Sequence, residues 1–272
     1  MSVAADADDH QAFLINAGLL VLSALGGLHL LHVAFSLATF VYRTWIRKPH
    51  DLHALYGKGG WVCITGATDG VGKSIALEAA KRGLNVFLIS RTEQKLKDTQ
   101  EEILSKYKVQ VEYLQVDFSS SKVDYSTIQA KLLELNGVGL TVLVNNVGVS
   151  YDYPTYFEEL SETRIQELIR LNVDSTTNMT RVGLFVFKHK KAQQQRRRGG
   201  IVNLASAAGL TSNPLLTQYS AAKAYVQRFS EGLAVELKPQ GIDVQVHVPF
   251  FIVSKMSKFR SSSFMVPSSD KD

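Results

Sequence analysis

Short apolar runs alternate with longer amphipathic segments along this chain from Trp61 to Val248. Most of the runs lack the alternation of apolar and polar residues that is typical of a strand with one solvent-exposed face. Strands that are covered by helices on both faces are continuously apolar in this way. The runs lie at residues 61–65, 86–89, 111–116, 140–144, 201–205 and 242–248. Helical spacing predicts helices between them, at 71–82, 92–106, 121–135, 161–191 and 217–238. We therefore expect an α/β fold, a doubly wound parallel sheet.

The amino-terminal region carries no Asp, Glu, Lys or Arg from Gln11 to Tyr42. This stretch exceeds the about 20 apolar residues that a helix needs to cross a bilayer, so we predict a transmembrane helix. Arg43, Arg47 and Lys48 follow it. Because basic residues prefer the cytoplasmic side of a membrane, the rest of the chain is expected to face the cytosol. Two alternatives remain, an amphipathic helix packed on the main domain and a re-entrant hairpin that turns at Gly26–Gly27.

Composition excludes several classes of protein. A mean hydropathy near zero excludes a multi-span transporter and a globally disordered chain. The single cysteine, Cys63, rules out an intrachain disulfide, and the net charge of +5 is too small to indicate a nucleic-acid partner. The basic run within 188–198 is interpreted as a solvated helix end, with a membrane surface as the first alternative and nucleic acid as the last. His29 and His32 have no third donor nearby, so no metal site is predicted.

A glycine-rich turn joins the first predicted strand to the first predicted helix, with glycines at positions 66, 70 and 72. Such a turn lets backbone amides and a helix amino terminus approach a pyrophosphate, which predicts a Rossmann-like dinucleotide site. Gly72-Lys73-Ser74 looks like the end of the phosphate-binding loop of nucleoside triphosphatases. That loop requires a glycine where this chain has Ala67, so the triphosphatase interpretation is excluded.

The end of the second predicted strand indicates which dinucleotide binds. A site specific for NAD has an acidic residue there that binds the ribose, whereas this chain has Ser90 and Arg91. A guanidinium pairs well with a 2′-phosphate, so the sequence predicts NADPH. The alternative is that Arg91 only begins the next helix.

Tyr219 and Lys223 are spaced to lie on one face of a predicted helix. Ser206 and Asn145 each follow a strand, at the edge where parallel sheets bind ligands. Asn172 lies within a predicted helix, where asparagine has poor propensity. We expect Tyr219 to donate a proton to a substrate carbonyl, with the neighbouring ammonium lowering its pKa from about 10. Ser206 is expected to donate a hydrogen bond to the developing alkoxide.

Together these residues resemble the short-chain dehydrogenase/reductase family over residues 57–267. The segments Thr65–Gly70, Leu88–Arg91, Asn145–Tyr151 and Tyr153–Pro154 are similar to one branch, the membrane-bound very-long-chain 3-oxoacyl-CoA reductases, which includes the type 12 17β-hydroxysteroid dehydrogenases. The resemblance implies that Tyr219 is the catalytic acid, supported by Lys223, Ser206 and Asn172. The implied NADPH-binding residues are Gly66, Gly70, Gly72, Ser90, Arg91, Asp117, Asn145, Tyr219 and Lys223.

The resemblance also implies a function, the NADPH-dependent reduction of 3-oxoacyl-CoA to 3-hydroxyacyl-CoA in long-chain fatty-acid elongation. The expected location is the endoplasmic reticulum membrane, with the catalytic domain facing the cytosol. The expected substrate is a long-chain 3-oxoacyl-CoA or another hydrophobic ketone, and the expected partners are the membrane, other elongation enzymes and a second copy in a homodimer. Two alternatives stay open, a steroid or retinoid keto-reductase of the same family and a truncated NADPH-binding protein without turnover.

The carboxyl-terminal end is expected to be incomplete. Few residues follow Val248, and from Ser257 onward they are mostly polar and rich in serine, whereas the family continues with a substrate-covering helix and a seventh strand. The predicted organisation is a tail at 1–10, a transmembrane segment at 11–46, a linker at 47–60, an NADPH-binding catalytic domain at 61–256 and a polar tail at 257–272.

Overall fold

The computed structural model describes residues 2–48, 50–193 and 198–250. Contacts within it divide the chain into two units, Met1–His50 and Asp51–Asp272. The predictions for the polar tail, for an incomplete carboxyl-terminal end, and for Arg196 and Arg197 of the basic run lie outside the described residues.

The first unit is a long helix, α1 (Ser2–Val41), followed by a π-helical turn at Tyr42–Ile46. The helix continues without a break through Gly26 and Gly27, so the re-entrant hairpin is wrong. By length and composition, the segment Phe13–Ile46, with a hydropathy of 1.9, can cross a membrane. Its large apolar side chains are exposed all around the helix, as they are in a helix whose neighbours are lipid. This segment is therefore a candidate membrane span.

Six strands of the second unit form one parallel sheet in the order β3-β2-β1-β4-β5-β6. The strands are β1 (Trp61–Thr65), β2 (Asn85–Ser90), β3 (Val111–Gln115), β4 (Leu140–Asn145), β5 (Gly199–Leu204) and β6 (Ile242–His247). This sheet, with helices on both faces, confirms the predicted doubly wound, Rossmann-like fold.

The helices of this unit begin with a short one that precedes the sheet and then alternate with the strands. They are α2 (Leu52–Tyr56), α3 (Gly70–Lys81), α4 (Glu93–Lys106), α5 (Tyr125–Glu134), α6 (Glu162–Ile169), α7 (Ser175–Gln193) and α8 (Thr217–Leu237). Short 3₁₀ turns lie at Phe157–Glu159, Ala207–Gly209 and Lys238–Gln240.

Successive residues of β1 point to opposite faces of the sheet, and each face has its own apolar core. Trp61 and Cys63 pack with side chains of α5 and α7, whereas Val62 and Ile64 pack with side chains of α3 and α4. All five residues of β1 are buried, which explains why its sequence is continuously apolar.

The chain runs outward from β1 to β3 and then returns to β4, which pairs with β1 on its other side. At such a switch point the connections that follow the two strands diverge and leave a crevice at their carboxyl ends. Thr65 ends β1 and Asn145 ends β4, so the residues that follow them are brought to this crevice.

Two helices differ from the predictions by more than one or two residues at an end or by an interruption. The helix predicted over 161–191 is interrupted by a π-helical turn, Arg170–Asp174, between α6 and α7. The helix predicted from residue 121 begins only at Tyr125, because the Asp124 carboxylate caps it by accepting hydrogen bonds from the Ser126 and Thr127 amides.

Candidate active site

The turn between β1 and α3 has a backbone that requires glycine. Gly66 has φ +65° and Gly70 has φ +50°, a left-handed region that residues with a Cβ rarely adopt. A Cβ on Gly72 would overlap the Gly66 carbonyl oxygen, so α3 packs directly against the turn. Asp69 caps α3 by accepting a hydrogen bond from the Gly70 amide, at 2.9 Å. The three predicted glycines thus form one compact cradle at the helix amino terminus.

Asn146, which was not among the predicted site residues, holds this cradle in place. Its Nδ2 donates to the carbonyl oxygens of Thr65 and Gly66, at 3.0 and 3.1 Å. The Thr65 hydroxyl in return accepts hydrogen bonds from the amides of Asn146 and Val147. Two consecutive asparagines at the end of β4 were the sequence feature that could have indicated this role, and the second of them lines the cleft.

Asn145, the predicted cofactor-binding asparagine, lies in a buried network away from the cleft. Its Nδ2 donates to the Thr180 hydroxyl, at 3.0 Å, and to the Asn203 Oδ1, at 2.8 Å. Asn203 in turn donates to the Ser230 hydroxyl, at 2.8 Å. The side chain of Asn145 therefore ties β4 to β5 and α7, since a strand residue and its successor point to different sides.

Three further residues predicted to bind the cofactor lie at the end of β2 or follow β2 and β3. The Ser90 hydroxyl lies 2.9 Å from the Thr68 hydroxyl, which connects the end of β2 to the glycine turn. Arg91 follows β2 and is exposed. Asp117 follows β3 and accepts hydrogen bonds from the amide and hydroxyl of Ser119. Of the three, Ser90 has a hydrogen bond with the glycine turn.

A cleft of about 640 Å³ opens at the carboxyl ends of the strands. Of the predicted site residues, Gly66, Gly70, Ser206, Tyr219 and Lys223 line it. The structure thus brings the glycine turn and the Tyr219–Lys223 helix face into one space, although about 150 residues separate them along the chain.

Tyr219 is buried, with 9% of its surface exposed. Burial raises the pKa of its phenol above the usual 10.0, and a hydrogen bond with the Ser206 side chain opposes that rise. We expected the neighbouring ammonium to lower the pKa of Tyr219, but the net direction is the opposite because loss of water dominates. A raised pKa keeps the phenol protonated at neutral pH.

Lys223 lies one helical turn beyond Tyr219 and is 5% exposed. Its Nζ donates a hydrogen bond to the Leu204 carbonyl oxygen at the end of β5, at 3.0 Å. Burial lowers the pKa of this lysine from 10.5 to about 8, because an ammonium is costly to remove from water. The side chain is therefore fixed inside the cleft wall instead of extending into solvent.

Asn172 lies in the π-helical turn, which explains an asparagine at a position that was predicted to be helical. Its Nδ2 donates to the carbonyls of Leu168 and Val149, both at 2.9 Å, and its Oδ1 accepts from the Val149 amide. A Cβ on Gly148 would lie 2.7 Å from the Asn172 Oδ1 and 3.2 Å from the Lys223 Nζ. Asn172 therefore stands behind the cleft wall, close to the lysine.

The loop after β4 supplies a further part of the lining that the sequence analysis did not assign. Tyr151, Tyr153 and Pro154 line the cleft together with Leu216 and Phe250. Apolar rings close to the Tyr219–Ser206 pair suit a ligand with a polar reacting group and an apolar body.

A dinucleotide fits the residues that are present. The glycine turn and the first residues of α3 line the cleft, so backbone amides border it, and an exposed guanidinium follows β2. Backbone amides at a helix amino terminus and a nearby cation are the groups that bind pyrophosphate and phosphate.

A family model described as short chain dehydrogenase matches residues 60–263, which is most of the second unit. Among known proteins, the very-long-chain 3-oxoacyl-CoA reductase of Anas platyrhynchos is 43% identical over 213 residues, covering 78% of this chain. The chain spans 65% of the length of that relative.

Solved structures of the same kind superpose on the chain. A short-chain dehydrogenase from Sphingobium yanoikuyae in complex with NADPH has a TM-score of 0.66 and 27% identity, covering 78% of this chain and 80% of its own. The 3-ketoacyl-(acyl-carrier-protein) reductase from Brucella melitensis complexed with NADH has a TM-score of 0.67 and 25% identity, covering 78% and 87%. With the family match and the shared fold, the chain belongs to the short-chain dehydrogenase family.

Proposed function

We propose that this chain is an NADPH-dependent reductase that converts a long-chain 3-oxoacyl-CoA to the 3-hydroxyacyl-CoA at a membrane. The observation that carries the proposal is the convergence of the glycine turn, Ser206, Tyr219 and Lys223 on one cleft. The substrate class comes from the name of the similar reductase of Anas platyrhynchos. The apolar rings of the cleft support it, since an acyl chain needs an apolar surface.

Binding of the pyrophosphate and the adenosine end of the cofactor is assigned to two groups. The amides of the Gly66–Gly72 turn and the amino terminus of α3 would hold the pyrophosphate. Ser90, Arg91 and Asp117 would hold the adenosine end, with the Arg91 guanidinium pairing with a 2′-phosphate. When bound, a reduced nicotinamide would supply the hydride for ketone reduction. Asn145 would act indirectly, because its hydrogen bonds to Thr180 and Asn203 keep the ends of β4 and β5 in register.

The proton is assigned to Tyr219. Its phenol, which burial keeps protonated at neutral pH, would donate to the carbonyl oxygen as negative charge develops there. The Ser206 hydroxyl, which hydrogen-bonds with Tyr219, would turn its single hydrogen to the same substrate oxygen once the ketone is bound. Both donors are fixed before the substrate arrives, so little reorganisation is required during the reaction.

Lys223 and Asn172 are assigned supporting roles. The Lys223 ammonium, held by the Leu204 carbonyl, would fix the nicotinamide ribose and place a positive charge beside Tyr219 as it loses its proton. Asn172 would hold the Gly148–Val149 backbone that forms this wall and position a water that returns a proton to the site.

The membrane segment 11–46 would anchor the 61–256 catalytic domain to the endoplasmic reticulum, with that domain in the cytosol. Arg43, Arg47 and Lys48 support this orientation, because basic residues prefer the cytosolic side. A second copy of the chain and other elongation enzymes are the proposed protein partners. Cross-linking of the full chain in native membranes tests both, and a chain that yields only monomer excludes the homodimer.

The test uses the full chain in detergent with NADPH and a long-chain 3-oxoacyl-CoA, with loss of the reduced cofactor followed by absorbance. We expect turnover that disappears in Tyr219→Phe. Steroid and retinoid ketones are assayed alongside, and faster turnover with either replaces the acyl-CoA assignment. Binding of NADPH without oxidation by any ketone overturns the reductase proposal and supports a binding protein without turnover.

A further inference from the structure

Helix α8 carries Tyr219 on its first turn, and that turn has no cap of its own. The residue before the helix, Leu216, provides no side-chain hydrogen bond to the first amides. The preceding Leu215 has φ +65° and is the one residue other than glycine with positive φ among residues 2–48, 50–193 and 198–250. The first amides of a helix lack partners within the helix, so this strained start would leave the turn free to fray.

Tyr151 supplies the missing cap from the loop after β4. Its phenol oxygen accepts a hydrogen bond from the Gln218 amide, at 3.0 Å, across 67 residues of sequence. Tyr151 is 7% exposed and packs in a small apolar cluster with Leu168 and Tyr219. One side chain therefore packs in the cluster that contains Tyr219 and binds the amide of the residue before Tyr219.

The loop that carries Tyr151 is itself held from two helical segments. Asn172 of the π-helical turn bonds both backbone groups of Val149, and Arg164 of α6 donates to the Ser150 carbonyl, at 2.6 Å. Arg164 is mostly buried and also pairs with Glu167, at 2.5 Å. The cap is thus built on a rigid support, as positioning of a reactive group requires.

A second hydrogen bond connects the same loop to the start of α8. The Thr155 amide donates to the Leu215 carbonyl, at 3.0 Å. The strained residue before α8 and the first turn of α8 are therefore both bound by one loop, whose Tyr151 and Tyr153 also line the cleft.

We propose that Tyr151 is a positioning residue that caps α8 and thereby holds the Tyr219 phenol against Ser206. The inference rests on the proposed function, in which Tyr219 is the proton donor. Tyr219 lies in the turn that the cap holds, whereas Lys223 lies a turn deeper and has its own hydrogen bond to Leu204. Loss of the Tyr151 hydroxyl therefore displaces the phenol and leaves the lysine and the cofactor cradle in place.

The experiment compares Tyr151→Phe with Tyr225→Phe in the full chain in detergent. Each change removes one tyrosine hydroxyl that forms a hydrogen bond with α8 or from α8. The Tyr151 hydroxyl accepts from an amide of α8, and the hydroxyl of Tyr225, a residue of α8, lies 2.9 Å from the Thr177 hydroxyl. Amide hydrogen exchange of the first turn of α8, affinity for NADPH, and kcat and KM for the ketone are measured. For Tyr151→Phe we expect amide exchange of the first turn to become about tenfold faster, because the cap is lost. We expect kcat to fall by about tenfold, since small displacements of a reacting group are costly, while NADPH affinity and KM stay within about twofold.

Tyr225→Phe is expected to keep the exchange of the first turn and the kcat of the unaltered chain. The proposal is overturned if Tyr151→Phe leaves exchange of the Gln218 amide unchanged, or if both variants lose the same kcat. Hydrogen exchange needs no turnover, so a chain that reduces no ketone tests the cap independently. In that case faster exchange in Tyr151→Phe supports the cap while the reductase proposal fails.

Discussion

The ammonium of Lys223 lies 5.8 Å from the centre of the Tyr219 ring. It lies over the face of the ring and donates a hydrogen bond to the Leu204 carbonyl. Burial acts on the two groups in opposite senses, lowering the pKa of the lysine to about 8 and raising the pKa of the phenol. At neutral pH both groups hold their protons, which is the state in which a proton can be donated to a ketone.

The change Tyr219→Phe removes this proton donor and keeps the ring. Because general acid catalysis contributes about 100-fold or more, we expect kcat for ketone reduction to fall by at least that factor. The affinity for NADPH, measured by cofactor fluorescence, is expected to stay within about twofold, since the glycine turn and Arg91 are untouched. A variant that keeps more than a tenth of the original kcat would show that another group donates the proton.

Stability should depend on pH through Lys223. The unfolded chain binds this proton with the usual pKa of 10.5 and the folded chain with a pKa of about 8. Between these values the unfolded state binds more protons, so the free energy of unfolding rises as pH increases through that window. The cost of burying the ammonium is fully present below pH 8 and amounts to roughly 3 kcal/mol.

The variant Lys223→Met separates this effect from the other ionisations. We measure urea unfolding of both proteins between neutral pH and pH 10. The difference in unfolding free energy, unaltered chain minus variant, is expected to grow with pH, because only the unaltered chain loses the cost of a buried charge. A constant difference would mean that the lysine keeps its ordinary pKa in the folded protein.

The sheet could be predicted from the sequence because its strands are buried on both faces. Five residues at Trp61–Thr65 are all buried, so the periodicity of a half-exposed strand is absent and the apolar run itself is the signal. The interruption at Arg170–Asp174 could not be predicted, because a π-helical turn depends on the hydrogen bonds of Asn172 to Leu168 and Val149, and Val149 is distant in sequence. Only the poor helical propensity of asparagine indicated an irregularity.

The site could be predicted where a local spacing determines it, as for Tyr219 and Lys223 on one helix face. It could not be predicted where burial or strand direction decides. Asn145 and Asn146 are neighbours of identical type, and only the pleat determines that the second holds the glycine turn. The role of Tyr151 depends on a contact across 67 residues, for which the sequence carries no periodic signal.

Gly72→Ala should damage the cradle. Its Cβ would overlap the Gly66 carbonyl oxygen, and backbone cannot yield as a flexible side chain does. We expect a loss of about 1–3 kcal/mol in unfolding free energy and weaker NADPH binding. Gly232→Ala in α8 is the matched control, since a Cβ there meets nothing within 4 Å. That control should be neutral or stabilised by up to about 1 kcal/mol, and equal losses in both variants would contradict the close approach at Gly72.

Arg91→Ala should lower the preference for NADPH over NADH. The exposed guanidinium follows β2, whose last residue, Ser90, is connected to the glycine turn through Thr68, and in the proposed function it pairs with the adenosine 2′-phosphate. A hydrogen bond to a charged group contributes about 1.5–3 kcal/mol, which corresponds to a 10- to 100-fold change in the ratio of the two affinities. NADH affinity should be unchanged, because that cofactor carries no phosphate at this position.

Arg228→Ala, at an exposed ion pair on α8, is the control for loss of one positive charge. Because α4 begins at Glu93 with Thr92 as its N-cap, Arg91 does not begin that helix, and this alternative is wrong. Titration of each variant with both cofactors measures the ratio, and an unchanged ratio in Arg91→Ala would exclude the guanidinium as the group that binds the 2′-phosphate.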